Sequence, residues 1–199
     1  MRYRKIAFKI FIGIFFLTFT FTPLWSGEPG DVVKEVILKD ISLKDGGNTK
    51  ERKLKLWEEI SPLFNFEEMA KRAMRNHWEK RSPDEKREFV GLFANNIKAA
   101  YIRKSGSRFG EKIISLMEKQ GNKFAKVQVG LINKTEGKMS ADFFLLRKNL
   151  EWRIYDVVFE GVSLVVNYRR QFNSFLSKSS YEELVQKLKQ NRAKMDMEI

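Results

Sequence analysis

Cysteine is absent from the chain, and histidine occurs once, as His77. Without cysteine there is no disulfide, no thiol nucleophile and no thiolate metal site. No cysteine follows the apolar N-terminal run to carry a lipoprotein anchor either. A Ser-His-Asp arrangement would have to use His77, which lies in a stretch crowded with Lys and Arg and has no G-x-S-x-G elbow to serve. One imidazole among scattered carboxylates does not make a metal site. Gly130 and Gly137-Lys138 have the wrong spacing for a phosphate-cradling loop. No apolar run reaches the about 20 residues that a membrane-spanning helix needs. Neither internal repeats nor low-complexity segments are present. Asn133-Lys-Thr135 matches a glycosylation sequon by pattern only. No catalytic residue, metal or cofactor is therefore expected.

What is present begins with a leader. Arg2, Arg4, Lys5 and Lys9 precede the apolar run 10–21, and Pro23-Leu-Trp-Ser-Gly27 follows. A basic start, a short apolar stretch and small residues after it describe a secretory signal peptide over residues 1–26. The competing reading is an uncleaved anchor, which the bulky Leu24 and Trp25 near the cut leave open. The four basic residues leave with the leader and no acid does, so the formal charge falls from +13 to +9. What remains suits one domain over residues 27–190 with a charged tail at 191–199. The basic surplus does not point to nucleic acid, because a secreted chain does not meet it and the cations are dispersed without an aromatic ladder. An anionic membrane surface or an acidic protein fits better, and many of the charges simply face solvent.

The periodicity divides the chain into helix, sheet and helix. Residues 31–44 put Val33, Val36, Ile37 and Ile41 at helical spacing, and residues 45–49 read as a turn. Residues 51–60 and 66–80 read as two further helices. Ser82-Pro83-Asp84-Glu85 is a capping box with proline at the first helical position, and Phe89, Phe93, Ile97 and Tyr101 follow at steps of four. The region 103–110 breaks the helix. The period then becomes two. Residues 112–118 predict one strand, and Ala125, Val127, Val129 and Leu131 mark the buried face of the next. Met139, Ala141, Phe143 and Leu145 continue that face after a connection at 133–138. Leu150, Trp152 and Ile154 carry it into a further strand. From Tyr155 the alternation stops, and apolar residues crowd both sides up to Gly161. Residues 162–176 read as a helix, and a second capping box at Ser179-Ser-Tyr-Glu182 starts the last one, which is expected to end near Gln190.

The economical fold is α+β: a twisted antiparallel sheet of about four strands with several helices packed on one side. The apolar surface around Tyr155 exceeds what one short strand needs for its own packing. Part of it is expected to line a cavity together with Phe93, Ile97, Val129, Phe143, Trp152, Ile154 and Val165, because the shared sheet face lies opposite the Phe89–Tyr101 stripe. For any single residue, plain core is the commoner outcome.

Three passages resemble the MlaC family, periplasmic phospholipid-binding components of a lipid ABC transport system also known as toluene-tolerance proteins. They are Ser61-Pro-Leu-Phe-Asn-Phe-Glu-Glu-Met-Ala70, then Trp78-Glu-Lys-Arg-Ser-Pro83, and Trp152-Arg-Ile-Tyr-Asp-Val157 followed by Glu160-Gly-Val-Ser-Leu-Val-Val-Asn-Tyr-Arg169. The likeness runs in unbroken order over about residues 31–190. Asn65 stands where the family usually has Asp, and Arg75-Asn76 replace its common Leu-Gly. The resemblance implies helices and a curved sheet enclosing an apolar pocket for acyl chains. It adds Phe66, Met69, Ala73, Phe89 and Tyr101 from the helices as candidate lipid contacts. Val127, Leu145, Val158, Val162 and Tyr168 complete the set. It also implies a phospholipid ligand, an outer-membrane lipoprotein complex and an inner-membrane complex of an MCE-domain protein with an ATPase as partners. Two other readings stand beside it: an enzyme using Asp156 as a base in the cavity, and an envelope adaptor with a filled core.

Overall fold

A computed structural model describes residues 27–42, 49–103, 110–134 and 137–197. The leader, the turn at 45–48, most of the break at 103–110 and the end of the tail lie outside the described residues. The chain begins with α1 (Pro29–Ser42) and α2 (Lys50–Ile60), then a tight 3-10 turn at Ser61–Leu63 leads into α3 (Phe66–Met74). A second such turn at Arg75–His77 precedes α4 (Pro83–Arg103). Strands β1 (Lys112–Gln120), β2 (Phe124–Asn133), β3 (Gly137–Lys148), β4 (Glu151–Phe159) and β5 (Val162–Ser163) follow, and α5 (Leu164–Leu176) and α6 (Tyr181–Met197) close the fold.

Side chains fix the helix starts. The Thr49 hydroxyl accepts from Arg52 N–H, and Asn65 Oδ1 accepts from Glu68 N–H at 3.0 Å. Asn65 thus caps α3 as well as an aspartate would. At α4, Ser82 Oγ accepts from Glu85 N–H while Glu85 Oε2 accepts from Ser82 N–H at 2.7 Å. That N–H holds the Glu85 carboxyl below its ordinary range. The last capping box is displaced by one residue from the expected one: Ser180 and Glu183 form it, at 3.2 and 2.8 Å. The shift puts Tyr181 at the first helical position, where its ring is buried beside Phe89 and its hydroxyl donates to Glu85 O.

Other boundaries also differ from the sequence reading. Helix α3 ends at Met74 rather than near Lys80, because Arg75 takes φ 47° and ψ −117° and turns the chain out of the helix. Helix α6 continues past Gln190 to Met197, held to α4 where Asn191 Nδ2 donates to Asn96 Oδ1. Val162 lies on β5, not in a helix. Glu160 and Gly161, both at positive φ, form a tight hairpin that pairs Phe159 with Val162 and Val158 with Ser163. Ser163 then caps α5. Leu150 likewise belongs to a two-residue turn with Asn149 and is 59% exposed.

The sheet is an antiparallel meander of five strands in sequence order. Its inner face carries Val127 and Val129 from β2, Phe143 and Leu145 from β3, and Trp152 and Ile154 from β4, covered by Val33, Val36 and Ile37 of α1 and Leu56 and Ile60 of α2. Pairing of Leu145 with Ile154 but Phe144 with Asp156 leaves Tyr155 as an extra, bulged residue. The bulge shifts the phase, so Ile154, Val157 and Phe159 all serve the inner face. This is why the alternation stops at Tyr155.

Candidate functional site

The apolar interior consists of two clusters rather than one. The first is the sheet cluster just described. The second joins Met69 and Ala73 of α3, Phe89, Phe93 and Ile97 of α4, Val165 and Phe172 of α5 and Leu184 of α6. The stripe on α4 therefore packs mainly against helices: Phe93 meets Tyr168 and Phe172 edge to face at 4.9 and 5.8 Å. Only its C-terminal end reaches the sheet.

Phe64 and Tyr101 touch both clusters. Between them runs an aromatic wall, with Tyr101 to Trp57, Trp57 to Phe66 and Phe66 to Phe64 at centroid distances of 5.8, 5.8 and 5.9 Å. Phe64, Phe66 and Tyr101 are only partly buried. This seam is the candidate site. It is positioned by the backbone of Phe64 and Asn65, which runs along the free edge of β4: Phe64 bridges Ile154, and Asn65 N–H donates to Ile154 O at 2.7 Å.

The two ends of the seam differ. At one end, the Tyr101 hydroxyl donates to Asp40 Oδ1 at 2.8 Å, and Lys53 Nζ donates to Ile102 O at 2.9 Å. Asp40 and Lys53 are both buried. The lysine ammonium meets a carbonyl at the C-terminal end of α4, where the helix dipole favours a cation. At the other end is a groove of about 300 Å³ whose floor includes Phe64 and Phe66 and whose rim carries Glu67, Lys148, Glu151 and Arg153. Lys148 pairs with Glu67 at 3.0 Å and Arg153 with Glu151 at 2.8 Å.

The residues expected to contact lipid are distributed accordingly. Val127, Val129, Phe143, Leu145, Trp152 and Ile154 lie together in the sheet cluster. Met69, Ala73, Phe89, Phe93, Ile97 and Val165 lie in the helix cluster, with Phe66 and Tyr168 packed against it. Tyr101 joins the two. Val158 pairs with Asp142 on the outer face of the sheet, and Val162 is 63% exposed, so neither belongs to a cluster. Nothing in the sequence singles out Asp40 and Lys53, and it shows Trp57 only as an apolar residue of the second helix. Trp57 shares α2 with sheet-facing Leu56 and Ile60, and only tertiary packing turns it toward the helices.

The acids near Tyr155 have partners. Asp156 Oδ2 accepts from Ser163 Oγ at 2.6 Å and Oδ1 from Val165 N–H at 3.0 Å, so the carboxylate secures the start of α5. Glu160 accepts from Ser140 N–H. Tyr155 itself is covered by Arg72 at 4.2 Å, and burial raises its hydroxyl pKa above the ordinary tyrosine value. Among the described residues no group of His, Cys, Asp and Glu has the arrangement of a metal site, and no helix is long and apolar enough to cross a membrane.

Comparison with known proteins bears on this geometry. The intermembrane phospholipid transport system binding protein MlaC of Haemophilus influenzae is 23% identical over 138 residues, covering 67% of this chain. The chain spans 64% of that relative's length. A phospholipid-binding protein from Ralstonia solanacearum, solved with a phospholipid, superposes with a TM-score of 0.66 at 18% identity, covering 85% of this chain and 99% of that one. That likeness is one of fold. The profile of the MlaC protein family matches residues 32–190, the whole span from α1 into α6. The chain belongs to the MlaC family.

Proposed function

We propose that the protein is a periplasmic phospholipid carrier. It holds acyl chains in the seam between the two clusters and passes lipid between the outer membrane and an inner-membrane MCE-domain complex with its ATPase, so maintaining outer-membrane lipid asymmetry. The observation that carries this reading is the division of the core into two separately packed clusters, joined along a wall of partly buried aromatic rings. Each buried CH₂ is worth about 0.8 kcal/mol, so two chains of about 16 carbons resist leaving a membrane by roughly 20 kcal/mol or more. A carrier lowers that barrier by offering an equivalent dry surface. The seam supplies one when sheet and helix clusters move apart, each keeping its own contacts. Lys148 and Arg153, on the rim of the groove beside Phe66, suit the phosphate of a headgroup. Chemistry on the lipid is not required, and the residue an enzyme would use, Asp156, already has both carboxylate oxygens engaged. Direction would come from the ATPase partner. The relatives named as phospholipid-binding proteins support the ligand class.

Mass spectrometry of the protein purified without detergent tests this. A stoichiometric glycerophospholipid is expected. A chain that remains lipid-free when offered phospholipid would end the carrier reading and favour an adaptor; a bound lipid that is hydrolysed would favour an enzyme.

A further inference from the structure

The sheet has a second face, turned away from α1 and α2. Its side chains stand in cross-strand rows: Lys112 opposite Ile132 opposite Lys138, Met117 opposite Gln128 opposite Asp142, and Lys119 opposite Lys126 opposite Phe144. A bulge in β1 brings Ile114 to the same face, over Gly130. Ile114, Met117 and Phe124 are 46%, 63% and 46% exposed, and Ile132 is exposed beside them. Single exposed apolar side chains are ordinary, but grouped ones mark a contact surface.

The charges on this face are unbalanced. Lys119 stands directly opposite Lys126, a like-charged pairing that opposes strand association. Asp142 pairs with Lys126 at 2.8 Å, whereas Lys112, Lys119 and Lys138 form no ion pair among the described residues. Of the acids on the β4 side of this face, Asp156 and Glu160 are engaged with Ser163, Val165 and Ser140, and Glu151 pairs with Arg153. Lysines alone would only guard the free edge of β1 against further strand pairing. Such a guard has no use for exposed Ile, Met and Phe between them.

We infer that the outer face of β1–β3 docks on an anionic lipid bilayer. Headgroup phosphates meet Lys112, Lys119 and Lys138, and Met117 and Phe124 enter the interfacial zone below them. A bilayer surface accepts cations and apolar groups together without requiring a matching shape. A protein partner would more commonly be met by anchors gathered at one pocket, and these side chains are instead spread along two strands. The inference does not depend on the carrier reading, because none of Lys112, Lys119, Lys138, Met117 and Phe124 lines the groove or belongs to the aromatic wall of the seam.

Flotation of the protein with phosphatidylcholine vesicles, with and without phosphatidylglycerol, tests it. Binding is expected only to the phosphatidylglycerol vesicles and is expected to fall as salt rises. Joint substitution Lys112→Glu, Lys119→Glu and Lys138→Glu should weaken it by about tenfold or more. Met117→Ser with Phe124→Ser should weaken it at unchanged charge, and this pair carries the test if the triple variant does not fold. Absent or salt-insensitive binding by the unaltered protein overturns the inference, as does undiminished binding by the folded variants. Binding to immobilised polyglutamate without binding to phosphatidylglycerol vesicles would overturn it in favour of an acidic protein. Co-purified lipid, measured on the same variants, reports on the seam separately.

Discussion

The Tyr101 hydroxyl, on the last turn of α4, donates to the buried carboxylate of Asp40 on α1, 61 residues earlier in the chain. The same ring packs against Trp57 and touches both apolar clusters. One side chain therefore joins the sheet layer to the helix layer by a polar bond at its tip and apolar contact along its face.

Replacing Tyr101 by Phe keeps the ring contacts and removes the bond to a buried acceptor. A loss of ~1–3 kcal/mol is expected in urea unfolding, with bound lipid retained. An unchanged unfolding midpoint would show that the bond adds nothing.

Charge placed in the seam should act differently from charge placed in a cluster. Phe66→Glu puts a carboxylate at a partly buried position beside the groove, where water can solvate it once lipid is gone. That variant is expected to fold and to purify without phospholipid. Phe93→Glu buries an unpaired charge at a fully enclosed position of the helix cluster, a cost large enough to prevent folding. Calorimetry and lipid mass spectrometry on both variants check the contrast, and equal behaviour would remove the distinction between seam and core.

Arg75 holds φ 47° and ψ −117°, a conformation glycine adopts far more readily. Its side chain is exposed. Arg75→Gly should therefore stabilise the protein by roughly 1 kcal/mol, the strain relieved less the added freedom of the unfolded chain. A lower melting temperature would mean that the arginine side chain matters more than its backbone.

Tyr181 should make stability fall at high pH. Burial, with Glu85 nearby, pushes its hydroxyl pKa up to about 12 from the ordinary 10. A raised folded value means that the native state holds the proton more tightly. This contribution is complete below pH 10, the unfolded value, and is lost as pH rises through about 12. Denaturant midpoints followed across that window should fall for the unaltered protein and fall less for Tyr181→Phe. Parallel curves would exclude Tyr181 as the cause.

Most local elements were legible before any tertiary contact was known. Strand faces were legible because side chains alternate across a sheet, so Val127, Val129, Phe143 and Ile154 had to share one side. The start of α4 was legible because a capping box is satisfied within four residues. At Ser179-Ser-Tyr-Glu-Glu183 the same local rule admitted two registers, and the burial of Tyr181 against Phe89 selected one. The broken alternation at Tyr155 was visible, but its cause is a bulge, which exists only relative to the neighbouring strand. Tertiary structure alone decided which apolar surfaces meet. The α4 stripe had to be buried somewhere, yet nothing in its spacing distinguished a sheet from helices α5 and α6 as its cover. Periodicity reports which side of an element is dry, while its partner depends on how distant segments fill the remaining space. In this chain α1 and α2 took the sheet, and the seam formed where the two packings met.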